Sequence, residues 1–399
     1  MKTGGSFLLA LLLIVLVISF FAGPSAAQEK VTMAGMATFG GAYVGVDEIN
    51  RAKDFFLNER AGKILNKPIE FIIIDDEGKP AVGARKVREL AESKGARFFD
   101  GPASSAVGMA VSQVAKETKS ILIGSFGADD FTGTQCHRYA FRWGLSAYGA
   151  IQQTIIPLIK KFPAAKRWYT ITPDYIFGHS LLNNAKEVFN KYGVEHVGND
   201  MHPIGQTEYS SFFNKAMAAK ADVVVFLNFG KDTVNSIKQA GNFGLAKKAK
   251  LLAVWTQGTQ DLVEIGPEAA EGVYLGCQFW HNVDFPGTRA FVKAWQAKYN
   301  VPPSYPEAMH VEQFRMMAMG IEKAKSLNTD AVSKAMEGMK WDGVTGETSI
   351  QSFNHETRKN YFLLQGKPKK EMKDPHDMAS VVSFGSSLKT QAESACKMQ

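Results

Sequence analysis

Short apolar runs alternate with longer mixed segments along most of the chain, beginning at about residue 31. The run IEFIII at 69–74 is continuous and rich in β-branched residues, which is typical of a strand buried on both faces of a parallel sheet. Each such run is followed by a loop and a helix-like segment, and this order predicts right-handed βαβ units. We predict strands at 31–34, 69–74, 97–100, 120–123, 168–172, 195–199, 222–228, 251–255, 272–278 and 361–364, and helices at 47–60, 80–93, 107–117, about 178–192, 211–219, 232–242, 289–299 and 307–326.

This pattern falls into two successive αβ blocks, the first at roughly 28–145 and the second at roughly 148–275. A length of 399 residues also suggests two domains, because one domain usually holds about 100–200 residues. The remainder is too short for a third domain, so residues 276–358 are expected to return to the first block. Ligands of open parallel sheets bind beyond the carboxyl ends of the strands, and the cleft between the two blocks is therefore the expected site.

The first 27 residues have the features of a secretory signal peptide. Lys2 gives a positive start, residues 7–22 are 16 uncharged and mostly apolar residues, and Ser25 and Ala27 fit a small-residue cleavage site before Gln28. A membrane anchor is the alternative, but a helix needs about 20 apolar residues to span a bilayer. We expect cleavage and export, and no cysteine lies near the cut to carry a lipid.

Charge and cysteine content narrow the class of protein further. The formal net charge of +7 falls by one when Lys2 is removed with the signal peptide. We interpret the remaining positive charge as a solubility feature, and we expect no nucleic-acid partner. Cys136, Cys277 and Cys396 permit one disulfide at most, and the sequence leaves all three pairs open. No CxxC, HExxH or Cys/His cluster is present, so no metal site is expected.

Six segments carry a resemblance to a known family, and their order and spacing are more specific than any single one. They are 66–80 (NKPIEFIIIDDEGKP), 100–110 (DGPASSAVGMA), Phe141 with Arg142, 173–179 (PDYIFGH), 205–212 (GQTEYSSF) and 345–354 (TGETSIQSFN). Up to about Gln365, the chain resembles the periplasmic solute-binding proteins of ABC importers, specifically the leucine/isoleucine/valine-binding (type I) group. Tyr209 stands at or near a position where the family usually has Asp.

The resemblance implies an α/β fold of two Rossmann-like lobes with parallel sheets, joined by a multi-stranded hinge. The expected divisions are a signal peptide at 1–27, lobe 1 at 28–146 plus 279–355, lobe 2 at 147–278 plus 356–365, and a polar C-terminal tail at 366–399. The implied function is the substrate-binding component of an ABC import system in the periplasm, capturing a small solute between closing lobes. The implied partners are that solute and the membrane permease subunits. A monomer without enzyme activity or cofactors is expected.

The resemblance also places a ligand carboxylate at the start of the helix after the 97–100 strand. Ser104 and Ser105 lie there, and hydroxyls together with free N–H groups at a helix N-terminus favour an anionic oxygen. Ala128 and Asp129 occupy the family's second carboxylate loop. Aromatic side chains at loop tips are costly to expose and offer flat walls to a ligand, although each alone is more often a packing residue. The remaining candidates at strand ends are Tyr43, Phe126, Tyr175, Phe177, Phe229, Trp255 and Gln257.

Two departures from the family bear on the ligand class. Asp129 stands where Thr is common, and its charge would repel a carboxylate unless it points away or binds an amine. The loop 256–258 lacks the Asp or Glu that usually meets the ammonium group of an amino acid. We predict a small carboxylate with an apolar or aromatic body. Branched-chain or other neutral amino acids are the family default, aromatic acids are close behind, and amides stay open.

Two other functions share some of these features. A secreted enzyme is one alternative, but the chain has no G-x-S-x-G elbow and no Walker lysine, and the glycines at 35–45 lack dinucleotide-binding spacing. A sensor that delivers its ligand to a membrane receptor is the other, because one fold serves both roles. Neighbouring permease and ATPase genes would favour transport, and a neighbouring kinase gene would favour sensing.

Overall fold

A computed structural model describes residues 29–39 and 45–398. The predicted signal peptide and Tyr43 lie outside these residues. The strands are β1 (Val31–Ala37), β2 (Lys63–Ile64), β3 (Lys67–Asp75), β4 (Phe98–Asp100), β5 (Ile121–Gly124), β6 (Ala140–Arg142), β7 (Arg167–Pro173), β8 (Glu195–His202), β9 (Val223–Phe226), β10 (Lys250–Thr256), β11 (Tyr274–Cys277), β12 (Lys340–Gly343), β13 (Gly346–Ile350), β14 (Thr357–Arg358), β15 (Tyr361–Gly366) and β16 (Ala379–Gly385). The helices are α1 (Val46–Glu59), α2 (Pro80–Ser93), α3 (Ser105–Glu117), α4 (Ala147–Lys161), α5 (Ile176–Tyr192), α6 (Ser210–Ala218), α7 (Lys231–Phe243), α8 (Thr259–Ile265), α9 (Pro267–Ala270), α10 (Pro286–Tyr299), α11 (Tyr305–Ala324) and α12 (Thr329–Met336).

Lobe 1 is built on a sheet with the order β2-β3-β1-β4-β5-β6. All neighbours are parallel except the short β2, which forms a hairpin with β3. Every residue of β1 is buried, because β3 and β4 flank it. In β3 only Ile74 is buried and the rest of the strand is half-buried. The interpretation of 69–74 as a strand buried on both faces was therefore wrong. Strand β3 lies near the edge of the sheet, with only the two-residue β2 beyond it.

Lobe 2 is built on a sheet with the order β16-β15-β11-β10-β9-β7-β8. The strands from β7 to β11 are parallel, and β15 and β16 add an antiparallel edge. β16 lies inside the segment that the sequence pattern indicates as a polar tail, so part of that segment extends the sheet. Most of β16 is half-buried or exposed, which fits its position at the edge of the sheet.

The chain after β11 returns to lobe 1. The hydroxyl of Tyr299 in α10 donates to the backbone oxygen of Arg51 in α1 at 2.8 Å, and the rings of Phe314 in α11 and Phe56 in α1 lie 5.5 Å apart. The N–H of Arg142 donates to the backbone oxygen of His355, which lies between β13 and β14 of a small antiparallel sheet with the order β12-β13-β14. These contacts pack α10, α11 and His355 against elements of lobe 1.

Three chain crossings join the lobes side by side, after β6, after β11 and between β14 and β15. Gln278 connects the first two, because its amide accepts from the N–H of Leu145 at 3.1 Å and donates to the Leu145 oxygen at 3.2 Å. Lys359 connects the third, since its Nζ donates to the Gln278 backbone oxygen at 2.7 Å. The predicted fold class, two α/β lobes with parallel-sheet cores, is confirmed.

One disulfide links distant parts of the chain. Cys136 and Cys396 are bonded, with their Cα atoms 5.6 Å apart, and Cys277 is free and buried. Of the three pairs that the sequence leaves open, the structure selects the one with 260 residues of separation. Within residues 29–39 and 45–398, no helix is both long and apolar enough to cross a membrane.

Candidate functional site

The carboxyl ends of the two parallel sheets face each other, and the loops there make contact between the lobes. Phe177 of lobe 2 packs directly on Gly127 of lobe 1, where a Cβ would lie 2.1 Å from the ring, so only glycine fits. The Nδ2 of Asn184 in α5 donates to Oδ2 of Asp129 at 2.5 Å. The structure therefore shows the lobes in a contacting arrangement, with the candidate site between them.

On the lobe 1 side, Ser104 and Ser105 lie at the start of α3, and both are buried. Ser104 is the N-cap residue, but its side chain does not accept a hydrogen bond from the first turn. The Oγ of Ser105 accepts from the N–H of Ala128 at 3.2 Å, which joins the two loops that the resemblance assigns to a carboxylate. The positive end of α3 and these hydroxyls form a suitable environment for an anionic oxygen.

A buried arginine that was not among the predicted site residues holds the second of these loops. Arg142 donates from its guanidinium to the backbone oxygen of Phe126, to the oxygen of Ala128 at 2.5 Å, and from Nε to Oγ1 of Thr132 at 3.1 Å. The side chain is fully buried, which lowers its pKa, and the carboxylate of Glu356 at 4.0 Å counters that effect. The sequence signals were a charged residue at the end of the apolar strand AFR and the place of Arg142 in one of the six segments that carry the resemblance.

Two predicted residues of this loop have side chains that are engaged by other protein groups. The Phe126 ring packs inside lobe 1, so close to Gly108 that a Cβ there would lie 2.3 Å from it. The Oδ1 of Asp129 accepts from the N–H of Tyr148 at 3.0 Å, at the N-terminus of α4, and its Oδ2 accepts from Asn184. A helix N-terminus attracts a carboxylate, so the charge of Asp129 is used in joining the lobes. Backbone roles for Phe126, Ala128 and Asp129 in ligand binding stay predictions.

On the lobe 2 side, the structure brings four predicted aromatic residues into one cluster. Trp255 is its centre, with the Phe177 ring at 5.0 Å and the Phe229 ring at 6.2 Å, both edge-on. Tyr175 lies 6.1 Å from Phe177 and is only half-buried. These side chains come from the ends of β7, β9 and β10 and form an apolar wall, which Phe177 brings against Gly127 of lobe 1.

Two buried donors in this wall lack a hydrogen-bond partner among the described residues, namely Nε1 of Trp255 and Nε2 of Gln257. The backbone of Gln257 is well held, because its N–H donates to Asp261 at 2.7 Å and its oxygen accepts from the N–H of Tyr305 at 3.3 Å. An unpaired buried donor costs about 1–3 kcal/mol. A ligand with an acceptor at this place would remove that cost.

Tyr305 and Tyr361 lie next to Trp255 of this wall, and neither was among the predicted site residues. The Tyr305 ring stacks over Trp143 with centroids 6.4 Å apart, and the Tyr361 hydroxyl donates to the Val254 oxygen at 2.5 Å. Burial raises the pKa of the Tyr305 hydroxyl, and the nearby side chains of Ser125 and Trp255 partly offset this. Both tyrosines come from segments far along the chain, α11 and β15, and spacing alone does not reveal that they lie together.

The carboxylates that follow the lobe 2 strands are engaged with other groups. Asp174 bonds the His179 ring at 2.8 Å, and Asp232 accepts from the N–H of Gly205 at 3.0 Å. Asp261 accepts from the N–H of Gln257, and burial raises its pKa to about 7. Each of these three carboxylates therefore already has a hydrogen-bond partner within lobe 2. Across the described residues, no group of three or more His, Cys, Asp or Glu is arranged to hold a metal ion.

With this geometry in view, comparison with known proteins is decisive. The sequence profile described as periplasmic binding protein matches residues 23–371. The chain belongs to this family. The match confirms the predicted resemblance and the predicted class of function, the substrate-binding component of an ABC import system, and members of the family are periplasmic.

Relatives with known structures share the fold over nearly the whole chain. An amino acid ABC transporter substrate-binding protein from Pseudomonas fluorescens Pf-5 is 38% identical, with a TM-score of 0.88 over 92% of this chain and 99% of that chain. A solute-binding protein from R. palustris in complex with benzoate has a TM-score of 0.81 over 92% and 100%, but only 20% identity. A Leu/Ile/Val-binding protein homolog from Brucella melitensis is 24% identical over 361 residues, 86% of this chain and 85% of the relative.

Replacing Ser105 by alanine should weaken ligand binding about fivefold, because its hydroxyl joins the two carboxylate loops through one hydrogen bond worth about 1 kcal/mol. Isothermal titration calorimetry measures the loss, and urea unfolding checks that the fold is kept. Ser120→Ala is the control, since Ser120 is equally buried but bonds Thr118 at the opposite end of β5. Unchanged affinity in Ser105→Ala would remove Ser105 from the site.

Proposed function

We propose that this periplasmic binding protein captures a small aromatic carboxylate between its lobes and delivers it to the permease of an ABC importer. The observation that carries the proposal is the aromatic cluster around Trp255, which lies beside the unpaired buried donors of Trp255 and Gln257 and meets lobe 1 where Phe177 packs on Gly127. The ring of the ligand would lie against the aromatic wall. Its carboxylate would lie at Ser104 and Ser105, and a second acceptor would meet Trp255 or Gln257.

The absence of a free acidic group at the ends of the lobe 2 strands favours an aromatic acid over an amino acid. An ammonium group buried in the cleft without a carboxylate would be costly, because an unpaired buried charge loses its hydration. Asp174, Asp232 and Asp261 all bond other groups, within the part of the chain that the structure describes. Neutral amino acids are the second candidate, because the Pseudomonas fluorescens relative is an amino acid ABC transporter substrate-binding protein.

We further propose that the protein has no enzyme activity. A Ser–His pair does exist, since Oγ of Ser112 and Nε2 of His137 lie 2.9 Å apart. Both side chains are buried in lobe 1, and burial lowers the pKa of His137 to about 4. The second ring nitrogen of His137 faces the N–H of Tyr139, so no carboxylate orients the ring as in a catalytic triad.

We also propose that the protein is exported after cleavage at residue 27 and that it is a monomer.

A thermal-shift screen tests the ligand class. Benzoate, 4-hydroxybenzoate, leucine, valine and acetamide should be added separately to the mature protein. We expect the two aromatic acids to raise the melting temperature, because a ligand at about 100 times its Kd stabilises the folded protein by about 2.7 kcal/mol. A shift with leucine or valine alone would replace the aromatic acid by an amino acid. A shift with acetamide alone would contradict the carboxylate role of Ser104 and Ser105.

A further inference from the structure

The C-terminal segment crosses from lobe 2 back to lobe 1. It leaves the edge of the lobe 2 sheet at the end of β16 and reaches Cys396, which is bonded to Cys136 in lobe 1. We name residues 386–396 the C-terminal strap. It is the last connection between the lobes, after the three crossings of the hinge, and it ends in a covalent bond.

On the lobe 2 side, the strap lies along the first half of α4. The Nε2 of Gln153 donates to Oγ of Ser387 at 2.6 Å. The backbone oxygen of Ser387 approaches α4 so closely that a Cβ on Gly149 would lie 2.7 Å from it. The Nζ of Lys389 lies 5.3 Å from the centre of the Tyr148 ring. These contacts hold the strap at the end of α4 that faces the hinge.

On the lobe 1 side, the strap is held at two points. The Nε2 of Gln351 donates to the backbone oxygen of Lys389 at 3.3 Å, and Cys396 forms the disulfide with Cys136. Lys389 therefore has its side chain against lobe 2 and its backbone against lobe 1. Any rotation of one lobe relative to the other must change at least one of these contacts.

The strap also lies beside the direct contact between the lobes. It forms one wall of a cavity of about 160 Å³, through Lys389, Ser394 and Ala395. The opposite walls include Asp129 and Glu356. Asp129 is the residue whose carboxylate bonds Tyr148 and Asn184 of lobe 2. The strap thus encloses the place where the second carboxylate loop meets α4.

We propose that the C-terminal strap is a positioning element for ligand binding, which holds the Asp129 loop and α4 together and so favours the contacting arrangement of the lobes. The inference about affinity rests on the proposed function, but the inference about lobe arrangement does not. Because the strap bonds both lobes while they are in contact, releasing it removes stabilisation from that arrangement alone. A ligand that binds the contacting arrangement then binds more weakly.

Cys396→Ser and Cys136→Ser in the mature protein release the covalent end of the strap and test the proposal. The double variant Gln153→Ala/Lys389→Ala removes the lobe 2 contacts and leaves the disulfide intact. Small-angle X-ray scattering of the ligand-free proteins measures the radius of gyration. Calorimetry with 4-hydroxybenzoate and with leucine measures Kd. Urea unfolding shows whether each variant is folded, and if the cysteine variants do not fold, the double variant carries the comparison.

We expect a larger radius of gyration for the ligand-free variants and a Kd raised about three- to tenfold for whichever probe binds the wild type. In the cysteine variants, saturating probe should restore the wild-type radius of gyration, because the ligand favours the contacting arrangement. If the strap only unfolded and had no role in lobe arrangement, adding the probe would not be expected to restore it. Equal radius of gyration and equal Kd in all variants would overturn the role of the strap and leave the ligand proposal intact. If neither probe binds the wild type, the proposed ligand class fails, and the scattering comparison still decides the role of the strap.

Discussion

Replacing Arg142 by methionine should lower the free energy of unfolding by about 3–5 kcal/mol, because it leaves the buried carboxylate of Glu356 without its cationic partner. The same change removes three hydrogen bonds from the loop that carries Ala128 and Asp129. We therefore expect ligand binding to fall below detection. Urea unfolding at neutral pH measures the first effect and calorimetry the second.

Two variants separate the causes of that loss. Arg142→Met/Glu356→Gln removes both charges, so it should regain part of the stability while binding stays weak, because the loop still lacks its support. Arg88→Met is the matched control, since Arg88 makes an exposed ion pair with Glu117 and should change neither property noticeably. Wild-type affinity in a folded Arg142→Met would show that the loop does not need the arginine.

Replacing Trp255 by phenylalanine should weaken ligand binding about 10- to 100-fold, because a hydrogen bond from Nε1 to a charged or polar acceptor contributes about 1.5–3 kcal/mol. The ring stays in the aromatic cluster with Phe177 and Phe229. The free energy of unfolding of the ligand-free protein should fall only by the small cost of the smaller ring. No hydrogen bond is lost, since the indole N–H has no partner among the described residues. Calorimetry and thermal unfolding measure the two quantities.

Trp168→Phe is the matched control for that experiment. Trp168 is fully buried in lobe 2, but its Nε1 donates to the backbone oxygen of Ala165 at 2.9 Å, away from the cleft. It should lose about 1 kcal/mol of stability and keep its affinity. If Trp255→Phe binds like the wild type, the ligand does not accept a hydrogen bond from Trp255, and Gln257 becomes the remaining donor of the lobe 2 wall.

Most of the secondary structure is readable from local pattern. The helix predicted at 80–93 is α2 with the same bounds, because Pro80 marks its first turn. The helix α4 was missed, since Pro157 interrupts the pattern and the isolated sequence does not show the packing that supports the helix around it. The strand β16 was missed for a similar reason, because a half-exposed edge strand lacks a continuous apolar run.

The candidate site was predictable as a set of loops but not as a set of side chains. Parallel strands bring their carboxyl ends to one edge, so residues as distant as Ser105 and Trp255 were expected near one cleft. Arg142 and Tyr361 were not predicted as site residues, because β6 brings the first next to the Ala128 loop and β15 brings the second next to Trp255. Their positions depend on how the return segments pack onto lobes formed much earlier in the chain.

The sequence by itself determined the alternation of strands and helices, the two-lobed family fold and the supply of aromatic residues at strand ends, because these depend on local spacing and composition. Only the tertiary structure decided which way each side chain faces and which distant residues meet. Phe126 turned into the core because Gly108 and Gly124 leave room for its ring. Asp129 turned to the N-terminus of α4, and Cys136 paired with Cys396 across 260 residues. Such choices follow from packing between segments far apart in the chain, which no local pattern contains.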